Sequence, residues 1–219
     1  MTDTHDAELP GRLLRTERDA LIPLLRSLPD ADFARYTCCP GWTVRHVIAH
    51  CGSALMRVVE SRFEPDVFSP ACNDRDIAER ADWSHTEVVD ELERAMTEAG
   101  PVIAKAGGLF DVIGLGEWLH AGDVREAVGA PDAYAGAGIE DALALTPAAF
   151  AYAKTQVPVH ADLDGRDEPL VLGSSGERPP ARFIGPAPVF LRLIAGRPVI
   201  GAHYELAGAK EAELNLFGG

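Results

Sequence analysis

Apolar residues in the first half of the chain recur at helical spacing. Leu14, Leu21, Leu25 and Leu28 stand seven, four and three apart, which makes one apolar stripe on a helix from about Pro10 to Leu28. Pro10 suits a first turn, whereas Pro23 inside the pattern predicts a kink or a split. A second helix is expected after Pro40-Gly41-Trp42-Thr43. Thr43 is its N-cap, and Val44, Val47, Ile48, Cys51 and Leu55 share one face. The stretch from Glu64 to Trp83 is rich in Asp, Pro and Asn and reads as a long connection. Ser84-His85-Thr86-Glu87 has the spacing of a capping box. Val88, Val89, Leu92, Met96 and Ala99 carry a third helix onward until Gly100-Pro101 stops it. A fourth helix is expected from about Leu109 to Val128, ending at Gly129.

The pattern changes after Ala130. Asp132 to Gly138 is a link of small residues, followed by a helix from about Ile139 to Lys154. Short alternating runs then read as strands: Val157 to Leu163, Leu170 to Leu172 and Arg182 to Ile184. Ser174-Ser175-Gly176 between them reads as a hairpin turn, since no G-x-S-x-G elbow leads into a helix. Pro188 to Ala195 is a short amphipathic helix ending at Gly196, and Ala212 to Phe217 alternates again. The fold class is therefore α+β. A helical bundle at 1–130 is followed by a small α/β domain at 139–219, and the bundle is expected to fold by itself.

Charge removes whole classes of function. Thirty-four acidic residues against 20 basic ones give a formal net charge of −14. Binding a phosphate backbone or an anionic membrane surface needs the opposite balance, so neither nucleic acid nor membrane is an expected partner. No run approaches the roughly 18 apolar residues of a membrane span, and Met1 to Asp6 does not read as a signal peptide; a cytoplasmic location is expected. The sequence leaves the oligomeric state open. Cys38, Cys39, Cys51 and Cys72 form no CxxC pair and read as free thiols. Adjacent Cys38 and Cys39 match no zinc knuckle, so they are poor metal-ligand candidates.

Two segments carry candidate metal chemistry. His46 and His50, at i and i+4, put two rings on one face of the second helix. Glu117, His120 and Asp123 follow each other at steps of three on the fourth. Three of the 7 histidines thus fall in these segments. Facing helices of a bundle are a known frame for such sites. Spacing alone leaves the plainer alternative open: helix histidines satisfied in the core, and carboxylates that pair with arginines. Trp42 and Trp118 read as packing residues. Gly114-Leu115-Gly116 lies inside a helix pattern and lacks the rest of a dinucleotide fingerprint.

The segment Thr37-Cys38-Cys39-Pro40-Gly41-Trp42-Thr43-Val44-Arg45-His46-Val47-Ile48-Ala49-His50 resembles the T-x-C-x-G-W-[ST]-V-[RK]-D-[LV]-[VI]-A-H signature of mycothiol-dependent maleylpyruvate isomerase-like proteins. A second signature of that family, H-x-x-D-[LIV]-x-x-A-[LV]-G, is similar to His120 to Gly129. Phe183 to Ala187 and Leu193 to Pro198 resemble its C-terminal domain. The resemblance implies a DinB-like, up-and-down four-helix bundle with one divalent metal, usually zinc. It places ligands at His50 and His120, and names the thiol mycothiol as cofactor. The family's third ligand stands four residues before the fourth-helix histidine, where this chain has Gly116. Glu117 is one residue later and is the candidate third ligand, while His46 stands where the family has Asp. The matching Asp123 reads as an acceptor that orients a ligand.

The activity so implied is metal- and mycothiol-dependent isomerisation, or thiol transfer, on an electrophilic small molecule. The alternative is a non-catalytic bundle that binds a small ligand or a partner, its metal site vestigial.

Overall fold

The computed structural model describes residues 5–67, 69–153, 157–173 and 178–217. They divide into two compact units, residues 1–133 and 134–219. No helix among the described residues is long and apolar enough to cross a membrane.

The first unit is helical. Helices α1 (Leu9–Ser27), α2 (Val44–Val59), α4 (His85–Lys105) and α5 (Asp111–Ala127) form the bundle, and α3 (Pro70–Glu79) packs on α2. α1 and α2 each pack against α4 and α5. Consecutive α1 and α2 therefore occupy diagonal corners, unlike a simple up-and-down bundle, where chain neighbours are side by side. The core joins Leu14, Leu21 and Leu25 of α1 to Val47, Ile48 and Leu55 of α2 and to Leu92 and Met96 of α4.

Three expectations change. α1 runs through Pro23 without splitting, because Pro23 and Asp19 are both exposed, so the Asp19 carbonyl that loses its donor stays in water. α4 likewise passes Gly100-Pro101 and reaches Lys105. Gly100 is there for contact: a Cβ on it would meet Gly11 Cα of α1 at 2.9 Å, so the glycine lets two helices approach closely. The stretch from Glu64 to Trp83 contains α3, whose N-cap Ser69 accepts from Cys72 N at 3.1 Å with Pro70 at the first position. Both expected caps are present at α2 and α4, where Thr43 and Ser84 each form a capping box.

In the second unit α6 (Ile139–Tyr152) precedes a sheet of β1 (Val159–Leu163), β2 (Leu170–Leu172), β3 (Ala181–Gly185) and β4 (Glu205–Ala207), with α7 (Ala187–Ile194) between β3 and β4. The order is β2-β1-β3-β4, with β1 and β3 parallel and both outer pairs antiparallel. Val159, Ala161 and Leu163 point inward while His160 and Asp162 alternate outward. The proposed turn at Ser174-Ser175-Gly176 and the helix end at Lys154 lie outside the described residues. The tail from Ala212 is not a strand. Glu211–Leu214 is a single 3₁₀ turn, capped by Glu213, which accepts from Lys210 N at 2.8 Å, and anchored by buried Leu214.

Candidate metal and thiol site

Three pieces of chain meet in the helical unit. α2 brings His50, α5 brings Glu117, His120 and Asp123, and the turn before α2 brings Cys38, Cys39 and Trp42. That turn is fixed by its own hydrogen bonds. Thr37 N donates to Trp42 O at 2.9 Å, Trp42 N donates to Cys39 O at 3.0 Å, and Tyr36 bridges to Thr43. Gly41 supplies the left-handed residue it needs, with φ +78°.

The imidazoles of His50 and His120 meet edge to face, with ring centres 5.3 Å apart. Trp42 lies against both, at 4.9 Å from His50 and 6.2 Å from His120. It packs, as the sequence suggested, but it packs on the two histidines themselves. His120 Nδ1 is 3.0 Å from Asp123 Oδ2, so the other ring nitrogen is left to face elsewhere. His46 turns away: its Nδ1 accepts from Thr43 N at 3.3 Å and so closes the α2 cap.

Glu117 points into the bundle. It is only 4% exposed, and with His120, Cys51 and Val124 it lines a cavity of about 10 Å³, on the scale of one water or one ion. Neither Glu117 Oε2 nor His50 Nδ1, both buried, has a hydrogen-bond partner within the protein. Burial raises the Glu117 carboxyl to about 8, although a hydrogen bond from Cys51 works against this. Burial, with the neighbouring His120, lowers His50 to about 3. Both groups are therefore uncharged at pH 7.

These shifts give the metal-free protein a defined pH dependence. His50 binds a proton in the unfolded chain up to its ordinary 6.5 but in the folded chain only below about 3. Its contribution to stability rises with pH across that window, by about 1.4 kcal/mol per unit. Glu117 does the reverse between 4.5 and about 8, because the folded state keeps its proton. For this pair, stability climbs below pH 4.5, is level to 6.5 and falls toward 8. Glu117→Gln should remove the falling limb in urea titrations run from pH 6.5 to 8. An unchanged slope there would mean that the carboxyl is not held neutral.

Sequence reasoning set Cys38 and Cys39 aside, and the structure brings both to Asp123. Cys38 Sγ lies 2.9 Å from Asp123 Oδ1 and Cys39 Sγ 3.1 Å from Oδ2. Asp123 itself is wholly buried. Among the described residues, the one group of three His, Cys, Asp or Glu side chains with ligand atoms all within 4.8 Å of each other is Cys38, Cys39 and Asp123. Their separation of 85 residues hides this from any motif; the only local sign was the Cys pair itself.

A helical bundle with paired imidazoles between two of its helices, followed by a small α/β unit, is the class of protein that emerges. Residues 14–107 match the family model described as the mycothiol maleylpyruvate isomerase N-terminal domain. The match includes Cys38, Cys39 and His50 and ends before α5. Two solved structures share the fold across nearly the whole chain. One is a mycothiol-dependent maleylpyruvate isomerase, 17% identical, covering 94% of this chain and 97% of its own, with a TM-score of 0.56. The other is a histidine-to-alanine mutant under the same name, 17% identical with the same coverage and a TM-score of 0.58. No curated protein matches the sequence.

Proposed function

We propose that the bundle holds one divalent ion, zinc by its donor set, through His50, Glu117 and His120, and serves a mycothiol-dependent isomerisation or thiol transfer on an electrophilic small molecule. The observation that carries this is the His50–His120 contact, with two buried atoms, His50 Nδ1 and Glu117 Oε2, that lack a protein partner. The three side chains do not have ligand atoms all within 4.8 Å of one another, so an ion would have to draw them in. Buried polar atoms are normally satisfied, so an orphaned imidazole nitrogen and carboxylate oxygen suit ligands that await a cation. The family match supports the thiol cofactor.

A bound ion there would supply Lewis acidity that keeps a thiol deprotonated near neutral pH. The chain's own residues prepare the ground. Asp123 accepts from His120 Nδ1, which fixes the tautomer and orients the ring. His50 stays neutral down to about pH 3, so protons do not compete for its lone pair. Trp42 packs against both imidazoles and limits the orientations they can take. Glu117 would hold a cation as the carboxylate, giving its proton to solvent, since the charge that burial disfavours would then be matched.

Gly116 favours a second reading, a binding module with a vestigial site. The family's third ligand stands at this position by resemblance, and here a Cβ would meet nothing within 4 Å. The same open space supplies the test. Under this second reading Gly116→Glu should tighten zinc by about tenfold or more, because it restores a missing third ligand where a Cβ has room. If Glu117 already ligates, the gain should be well below about tenfold. After zinc reconstitution a variant lacking Cys38 and Cys39 should hold about one equivalent, and the parent protein should speed mycothiol-dependent isomerisation of maleylpyruvate or a related electrophile. No metal uptake in either protein would leave the binding module standing.

A further inference from the structure

The thiols beside Asp123 have no part in the reading above, and they form a site of their own. We propose that Cys38, Cys39 and Asp123 bind a second, thiophilic divalent ion such as Zn²⁺ or Cd²⁺, through two thiolates and the carboxylate oxygen Oδ1. Ligand atoms around a tetrahedral zinc stand roughly 3.3–3.8 Å apart, given bonds of about 2.0–2.3 Å. Cys38 Sγ to Oδ1 is 2.9 Å, Cys39 Sγ to Oδ2 is 3.1 Å, and all three ligand atoms lie within 4.8 Å of each other. The Cys38–Oδ1 pair therefore has to open by a few tenths of an ångström, and the other ligand pairs start no more than 4.8 Å apart.

The parts are preorganised. The Thr37–Trp42 turn holds both cysteines, and Cys39 N is further tied to Thr37 Oγ1 at 3.2 Å. Asp123 is buried and held at Oδ2 by His120, while Oδ1 is the oxygen that Cys38 approaches. Cys38 is only half-buried, so an ion has a way in. Two sulfur donors select a soft or borderline ion over magnesium or calcium. On binding, two thiol protons leave to solvent and the thiolates take their place at the cation. Adjacent cysteines make a poor disulfide, which leaves a cation as the partner of choice for the pair.

Co²⁺ titration of the full-length protein reads the site, because thiolate ligands give an intense sulfur-to-cobalt absorption that imidazole and carboxylate do not. The wild type should show the band, and Cys38→Ser and Cys39→Ser should each lose most of it. Cys72→Ser should keep it, as should His50→Ala, which removes the imidazole pair; failure of the proposed catalytic site is thus distinguishable from failure of this one. Should Cys39→Ser unfold the turn, the wild type gives a second readout: Cd²⁺ should slow alkylation of Cys38 by about tenfold or more. Three results overturn the proposal: no band in the wild type, a band that depends on Cys51 instead, or alkylation of Cys38 indifferent to Cd²⁺. Each would leave the cluster as hydrogen bonds to a buried carboxylate.

Discussion

His50→Ala is expected to abolish stoichiometric binding at the imidazole site while the bundle stays folded. Loss of a partner that merely orients a ligand already costs about 10–100-fold in affinity, and loss of a ligand exceeds that. Folding should survive because His50 Nδ1 makes no hydrogen bond within the protein. The substitution deletes a buried polar atom without orphaning a partner. Zinc content together with thermal unfolding checks both halves. Full zinc uptake by a variant that also lacks Cys38 and Cys39 would mean that His50 is an ordinary helix histidine. Two further variants, made in that same background without Cys38 and Cys39, divide the α5 roles at the imidazole site: Glu117→Gln should weaken zinc more than Asp123→Asn if Glu117 is a ligand there and Asp123 orients His120. The opposite ranking would remove Glu117 from the ligand set.

Asp76→Ala is expected to destabilise the protein by about 3 kcal/mol, the lower end of the cost of breaking a buried ion pair. Asp76 on α3 and Arg57 on α2 are 1% and 4% exposed, and Asp76 Oδ1 accepts from Arg57 Nη2 at 2.6 Å and Nε at 3.2 Å. Burial alone would raise the Asp76 carboxyl, but the Arg57 hydrogen bonds and charge outweigh it and hold it below the usual range. Its stabilisation is thus present at neutral pH and lost as pH falls through the lowered value. Arg57 keeps Glu64, 2.5 Å away at the surface, which is why the lower figure applies. Denaturant midpoints of the wild type, Asp76→Ala and the double variant Arg57→Met/Asp76→Leu test this. The double variant should recover most of the loss, since an apolar pair replaces a buried ion pair at little cost. A loss under about 1 kcal/mol in Asp76→Ala would mean that α3 is held by its apolar contacts alone.

What the chain determines by itself is local. Thr43 and Ser84 start α2 and α4 because an N-cap needs only its own helix. β1, β2 and β3 are legible as short apolar runs and β4 is not; His50 and His120 are candidates by helix spacing, and the family resemblance singles them out as ligands. Local rules misjudged Pro23, Pro101 and the Glu64–Trp83 stretch, where packing outweighed them. Pro23 sits on a wet face, Gly100 lets α4 touch α1, and a buried Arg57–Asp76 pair secures α3. Periodicity likewise could not place α1 and α2 on diagonal corners, since it says which face is apolar but not which helix covers it. The site divides along the same line. Sequence spacing offers Glu117 and Gly116 as neighbours on one helix, but only the packed bundle buries the first and leaves open space at the second. The meeting of Cys38, Cys39 and Asp123 across 85 residues is decided wholly by tertiary structure, because it depends on where α5 lies against the turn before α2.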